Sequence, residues 1–328
     1  MKKKKVYLYP KPLTIKVKGN QYMNYFEEAY RQCDDYQVIG KRITGKEPID
    51  LLFNSHAQLY IVSWIESIVF TISGKLQFLF AALLFSIFRL CGKQVIWVFH
   101  NKHPHCGNTA FSRFAMRTMA HLSNIVVTHS SYGEQLFNQL FPRLEGKCRY
   151  IPHPVYDTQM IPSETIDWDY IIWGEVNSRK GIVEFLEYAN QSRFFSDKRI
   201  LICGKCNDSV YASKIQRYCN NNVSFVNRFI EDDELKTFIQ RSAVILFTYS
   251  SDSVLSSGSL IYSLNFCKPI IGPNTGSFAE MAGIVTCYDS LKDIEHLKLL
   301  YSKELCLEYI EKNQWMFIPQ KIDNLLKS

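Results

Sequence analysis

Three stretches of this chain hold residue types that could do chemistry. Trp173-Gly174-Glu175-Val176-Asn177-Ser178-Arg179-Lys180-Gly181 leaves an apolar, strand-like run and enters a helical one. Glycines let the backbone turn tightly there. Arg179 and Lys180 fall at the helix start, where the dipole and unpaired N–H groups already favour an anion. Two cations in that place suit a diphosphate; the plain alternative is a solvated surface pair. The second stretch, Ser250-Ser251-Asp252-Ser253-Val254-Leu255-Ser256-Ser257-Gly258-Ser259-Leu260, also opens a helix. Its hydroxyls and backbone N–H groups could meet phosphate oxygens, or the serines could serve only as helix caps.

The third stretch is His100-Asn101-Lys102-His103-Pro104-His105-Cys106. Such a cluster could suggest zinc and a metal-dependent hydrolase. No second His/Cys group completes a ligand spacing, and Cys203-Gly204-Lys205-Cys206 is a lone pair. The better reading puts His100 and His103 at the carboxyl end of a buried strand, where open α/β sheets bind ligands. A histidine there can donate to a hydroxyl or a phosphate, or act as a base. Asp167-Trp168-Asp169 mimics a metal-binding Asp-x-Asp but precedes its strand and reads as linker. Arg113 and Arg117, one helical turn apart, could meet a phosphate or simply face solvent.

These residues need strands and helices to hold them, and the chain alternates between the two. Strands are expected at residues 6–9, 51–53, 60–62, 94–99, 124–128 and 149–151, with helices at 22–32, 109–122 and 132–141. Ile151-Pro152-His153-Pro154, with Pro162 beyond, reads as a linker. The alternation then restarts: strands at 170–173, 199–203, 223–225, 243–247 and 269–271, and helices at 181–189, 212–219, 232–241 and 258–265. The expected architecture is therefore α/β with two doubly wound domains, 1–155 and 165–311, and segment 312–328 packing back on the first. Residues 76–88 form an uncharged run of 13, too short for the ~20 residues that span a bilayer. It reads either as a buried helix or as an aromatic-rich helix in the membrane interface.

Composition narrows the class. The 328 residues are 47% hydrophobic and 21% charged, which excludes a disordered chain or a small disulfide scaffold. Ten cysteines without regular spacing, and an amino terminus whose Lys2–Lys5 run meets Pro10 and Pro12 instead of an apolar segment, predict reduced thiols in a cytoplasmic protein. The net charge of +7 is uneven: residues 1–160 carry 20 Lys/Arg against 10 Asp/Glu. A basic front half implies an anionic partner such as a membrane surface, a phosphorylated lipid or nucleic acid, unless the lysine tail is merely solvated. A non-catalytic basic adaptor would share that charge.

The order of these pieces resembles the GT-B glycosyltransferases, especially glycosyltransferase family four. The resemblance rests on Arg179-Lys180-Gly181, Leu201-Ile202-Cys203-Gly204, Val223-Ser224-Phe225, Lys268-Pro269-Ile270-Ile271 and Asn274-Thr275-Gly276-Ser277-Phe278-Ala279-Glu280 in the second half. In the first half it rests on Gly19-Asn20-Gln21-Tyr22, the His100–His105 segment and the Ile151–Pro154 linker. Where that family carries two glutamates eight positions apart, this chain has Val254 and Tyr262. The resemblance implies two Rossmann-like domains facing across a cleft. It also implies transfer of a sugar, by a hexosyltransferase, from a nucleotide-sugar to a lipid-linked or oligosaccharide acceptor in bacterial surface polysaccharide (capsule) biosynthesis. Donor contacts would come from Arg179, Lys180, Gly204, Arg228, Phe229, Ser257, Gly258, Ser259 and Tyr262. Gly19, Asn20 and Tyr22 would bind acceptor, and His100, Asn101 and His103 would be catalytic. Neither cofactor nor metal nor nucleic acid is expected, and the protein would sit peripherally on the inner face of the cell membrane.

Overall fold

The structure is a computed structural model that describes residues 3–11, 21–40, 47–101, 109–155, 165–249 and 255–327. The chain divides into two compact units, Met1–Pro154 with Gln314–Ser328, and Val155–Asn313.

The first unit alternates β1 (Lys4–Tyr9), α1 (Tyr22–Gln32), β2 (Tyr36–Val38), α2 (Glu47–Phe53), β3 (Leu59–Ser63), α3 (Gly74–Leu90), β4 (Gln94–Val98), α4 (Ala110–Leu122), β5 (Ile125–Thr128), α5 (Ser131–Leu140) and β6 (Cys148–Tyr150). Its sheet is wholly parallel, in the order β2-β1-β3-β4-β5-β6. Helices cover both faces of a parallel sheet, so its strands carry near-continuous apolar runs; every residue of β3 and β5 is buried. Residues 51–53, expected as strand, close α2 instead. Leu51 alone of the three is buried, with Leu52 and Phe53 exposed, which is one stripe of a helix and not the two-sided burial of a strand in this sheet. Thr109 starts α4 with a reciprocal capping box to Ser112, and Ser130 caps α5 through the Gly133 N–H.

The uncharged run lies in α3. Phe78, Ala81, Ala82, Leu84, Phe85 and Phe88 are buried, with Phe88 stacked on Tyr60 at 4.6 Å and Phe85 edge-on to Tyr9 at 6.0 Å. The helix is thus half core; its other side is solvent-exposed and still apolar.

The second unit runs β7 (Trp168–Trp173), α6 (Ile182–Gln191), β8 (Ile200–Cys203), α7 (Ser209–Gln216), β9 (Val223–Val226), α8 (Asp232–Gln240), β10 (Ser242–Leu246), α9 (Gly258–Leu264), β11 (Ile270–Pro273), α10 (Gly276–Ala279), β12 (Val285–Tyr288) and α11 (Lys303–Lys312). Its strands are again all parallel, ordered β12-β11-β10-β7-β8-β9. Apolar side chains fill both faces: Ile171, Leu201, Ile245 and Leu260 on one, Ile172, Ile202, Leu246 and Phe185 on the other. Helix α12 (Ile318–Lys327), preceded by Trp315, belongs to the first unit. It buries Ile318 and Ile322 against α1 and anchors Asp323 on the Tyr36 hydroxyl.

Renumbered within itself, the second sheet has the Rossmann order 3-2-1-4-5-6, and the first begins 2-1-3-4-5 like flavodoxin-type sheets. Each order reverses at one place, between β7 and β10 in the second unit and between β1 and β3 in the first. Ligands of such sheets bind beyond the strand carboxyl ends at that reversal.

Candidate functional site

In the second unit the reversal point gathers several residues that sequence analysis assigns to the donor. β7 ends at Trp173 and gives way to Gly174, whose φ of +97° places it in the left-handed region. A Cβ at Gly174 would stand 2.9 Å from Lys180 Nζ and 3.3 Å from Ser259 Oγ, so the cation and the hydroxyl close on the same backbone turn. Gly204, after β8, comes closer still: a Cβ there would lie 1.9 Å from the Gly174 carbonyl oxygen. Glycine at both positions lets the two strand ends touch.

Lys180 is 6% exposed. Its Nζ donates to the Trp173 carbonyl at 2.5 Å and lies 5.6 Å from the Tyr249 ring centroid. Thr248 Oγ1, just past β10, donates to the Lys180 carbonyl at 2.7 Å, tying the two strands of the reversal together. Arg179 shares the short 3-10 turn with Lys180 and is exposed. The N–H groups at the start of α6 are engaged differently from the sequence expectation: Ile182 and Val183 donate to the Tyr211 hydroxyl at 3.2 and 3.3 Å. Lys180 and the exposed Arg179, not the first N–H groups of α6, are therefore the cations at this turn.

Ser257 caps α9, its Oγ accepting from the Leu260 N–H at 3.2 Å. That is the cap function anticipated for a serine at this place. Gly258 faces open space, and Ser259 faces Gly174. Tyr262, one turn on, packs edge-on to Trp173 at 5.3 Å, while Trp173 donates its indole N–H to Ser263 Oγ at 3.0 Å. Arg228 and Phe229 follow β9, at the sheet edge two strands from β7. The Arg228 guanidinium is held bidentate by Glu234 at 2.5 and 2.7 Å, and Phe229 is 38% exposed. Asp252 and the rest of residues 250–254 lie outside the described residues. Asp167 and Asp169, at the amino end of β7, pair with Arg241 and Arg199 on the edge away from this site.

In the first unit, three imidazoles stand beyond the carboxyl ends of adjacent strands: His100 after β4, His129 after β5 and His153 after β6. Tyr22, from the start of α1, sits among them, 4.7 Å from His100, 5.6 Å from His129 and 5.7 Å from His153. Trp64 stacks on His100 at 4.6 Å and Trp315 meets Tyr22 edge-on at 5.2 Å. His129 Nδ1 contacts the Ile151 carbonyl at 2.9 Å, which fixes its proton there and leaves Nε2 to accept from the Tyr22 hydroxyl at 2.5 Å. Burial holds the His129 pKa well below the usual imidazole value, and lowers that of His153 to about 4. Both are neutral near pH 7 and can serve as hydrogen-bond partners. Lys11, beyond β1, is buried 3.5 Å from Glu27, and burial lowers its pKa.

Sequence reasoning missed His129, His153, Trp64 and Trp315. A histidine directly after each of two apolar strand runs was the available signal. Asn101 follows His100; His103, His105 and Cys106, and likewise Gly19 and Asn20, lie outside the described residues. Among the described residues no group of three His, Cys, Asp or Glu could hold a metal ion. Arg113 and Arg117 lie exposed on α4.

Two parallel six-stranded sheets, each in a doubly wound order with helices between the strands, make the GT-B glycosyltransferase fold. The chain superposes along its whole length on HepE of Anabaena in complex with UDP and glucose, with a TM-score of 0.68, 13% identity, and 99% of this chain and 100% of that one covered. A glycosyltransferase from Rickettsia africae matches with a TM-score of 0.65 and 12% identity, over 100% of this chain and 98% of the other. The lipopolysaccharide outer core galactosyltransferase WaaB matches at 0.64 and 10% identity, over 98% of both chains. No protein-family model and no curated protein matches the sequence.

Proposed function

We propose that this chain is a metal-independent glycosyltransferase that moves a sugar from a nucleotide-sugar to a lipid-linked or oligosaccharide glycan acceptor in bacterial surface polysaccharide assembly. It would work from the cytoplasmic side of the membrane. The observation that carries this reading is the buried Lys180 ammonium closing on Gly174 and Ser259 where the Rossmann-ordered sheet reverses. UDP is the nucleotide to test first, because HepE is held with UDP and with UDP-glucose.

In this reading the diphosphate lies over the Gly174–Gly204 contact, with Lys180 and Arg179 as its cations and Ser257, Gly258 and Ser259 alongside. Lys180 and Arg179 would offset the charge that develops on the leaving nucleoside diphosphate, the role a divalent cation fills in other transferases. Tyr262, Arg228 and Phe229 would flank the nucleoside. Gly19, Asn20 and Tyr22 would receive the acceptor, with His100, Asn101 and His103 nearest the chemistry. A neutral His129, hydrogen-bonded to Tyr22, would hold that ring in place.

The test is a thermal-shift series with UDP, UDP-glucose, UDP-galactose, GDP and CMP, each with and without EDTA. A ligand that binds only the folded state adds RT ln(1 + [L]/Kd), about 2.7 kcal/mol at a hundredfold excess over Kd. A shift with one nucleotide family, unchanged by EDTA and lost in Lys180→Met, supports the assignment. No shift with any nucleotide overturns it.

A further inference from the structure

Helix α3 carries an apolar stripe on its outward side. Leu76, Leu79, Phe80, Leu83, Ile87 and Leu90 are between 37% and 89% exposed. They recur every three or four residues, so they share one face opposite the buried one. Leu52 and Phe53 on the neighbouring α2 and Phe114 on the neighbouring α4 are 47%, 71% and 48% exposed and extend the same kind of surface. An apolar groove of about 480 Å³ opens between the start of α3 and the start of α4, lined among others by Val69, Phe70, Phe111 and Phe114. Lys75 stands at its side, 5.7 Å from the Phe111 ring centroid. Exposed apolar surface of this extent on one element marks a contact site.

Charge says what the contact is. From Ser67 to Gly133, 67 residues, the chain has no aspartate or glutamate, yet it has six cations: Lys75, Arg89, Lys93, Lys102, Arg113 and Arg117. The first unit carries 22 Lys/Arg against 10 Asp/Glu, the second 16 against 21. A second copy seated on this face would bring the cations of this segment together, while Asp50 on α2 and Glu66 just before α3 are both buried. A negatively charged bilayer offers both an apolar layer for the stripe and phosphates for the cations. No helix among the described residues is long and apolar enough to cross a membrane.

We propose that the outward face of α3, with the end of α2 and Phe114 beside it, seats this chain on an anionic lipid bilayer. The helix lies along the surface, its aliphatic side chains reach the headgroup–acyl boundary, and Lys75 and its neighbouring cations meet lipid phosphates. This deepens the membrane-side placement proposed above and rests on it, while its test does not depend on nucleotide binding.

The experiment is cosedimentation of the full chain with vesicles of phosphatidylcholine alone and with about 30% phosphatidylglycerol, beside a Leu79→Glu/Leu83→Glu variant. Wild type should bind the anionic vesicles at least about tenfold better than the neutral ones, and lose that margin in high salt. The double variant should lose binding by about tenfold or more while keeping its melting temperature and its nucleotide response. In Leu83→Trp, the emission of the added indole should shift to the blue on anionic vesicles. Failure of wild type to bind either vesicle, equal binding by the double variant, or unshifted emission from the Leu83→Trp variant would overturn the proposal. So would a wild-type dimer that the double variant converts to monomer, since the face would then join copies. A chain that binds vesicles but no nucleotide would leave this surface standing and sink the transferase reading instead.

Discussion

The Lys180 ammonium donates to the Trp173 carbonyl at 2.5 Å across a turn only seven residues long, so the cation of the candidate donor site is also the clasp of its own loop. Lys180→Met keeps an unbranched side chain and removes the charge beside Tyr249. Isothermal titration should show nucleotide affinity falling about 10- to 100-fold, the worth of one charge-assisted hydrogen bond. The melting temperature should also drop by a few degrees, about 1 kcal/mol, because the carbonyl loses its donor. Unchanged affinity would remove Lys180 from the site.

Gly204→Ala should be far more damaging than its small size suggests. The added methyl would meet the Gly174 carbonyl at 1.9 Å, at a φ of +142° that side chains rarely adopt. All three nearest atoms are Gly174 backbone at a strand end, so none can swing aside. Urea unfolding should show a loss of about 3 kcal/mol or more. A loss below about 1 kcal/mol would mean that the β7 and β8 ends separate easily.

These two residues mark how far the sequence alone carries. Gly174 and Lys180 stood out in the sequence as a glycine turn and a cation after an apolar run, with a solvated surface pair as the alternative, and Gly204 was singled out only through the family resemblance. The alternation of strand and helix was legible because a parallel sheet covered on both faces needs unbroken apolar strands, and QVIWV or ILIC can be little else. Residues 51–53 misled because a three-residue apolar run lacks the length that separates strand from helix. The engagement of the α6 start by Tyr211 could not be foreseen, since its hydroxyl arrives from a helix 29 positions downstream. The imidazole cluster escaped for a similar reason, because only the strand order brings His100, His129 and His153 to one edge.

Acid should unfold the first unit in a way that depends on those imidazoles. Burial lowers the His153 pKa from 6.5 to about 4. Below pH 6.5 the unfolded chain takes up a proton that the native site refuses, so stability falls with pH until about 4, by about 3 kcal/mol for an ideal single site. Burial lowers the His129 pKa as well, so it adds to the loss of stability in the same direction. Denaturant midpoints between pH 7.5 and 4.5 should decline steeply in wild type and less in His153→Gln. Parallel curves would exclude this site as the source.

Glu66 acts with the opposite sign. It is 2% exposed, and burial raises its carboxyl to about 7 from 4.5. Between those values the unfolded chain gives up a proton that the native chain keeps, so this group costs stability as pH rises. Glu66→Gln should leave stability unchanged near pH 4 and raise it by about 2–3 kcal/mol at pH 8. Calorimetry at the two pH values checks it, and a variant less stable at pH 8 would show that the ionised carboxylate is satisfied.

Helix α12 follows the second unit in the chain yet completes the first, where Trp315, Ile318 and Ile322 are buried. Vectorial synthesis therefore finishes the units in reverse: the last residue of the second unit is added before the helix that closes the first. Until those last residues emerge, the edge of α1 that they cover stays open, and Tyr22, which touches both Trp315 and His100, lacks one wall. The cluster around Tyr22 then takes shape only after the second unit has been made.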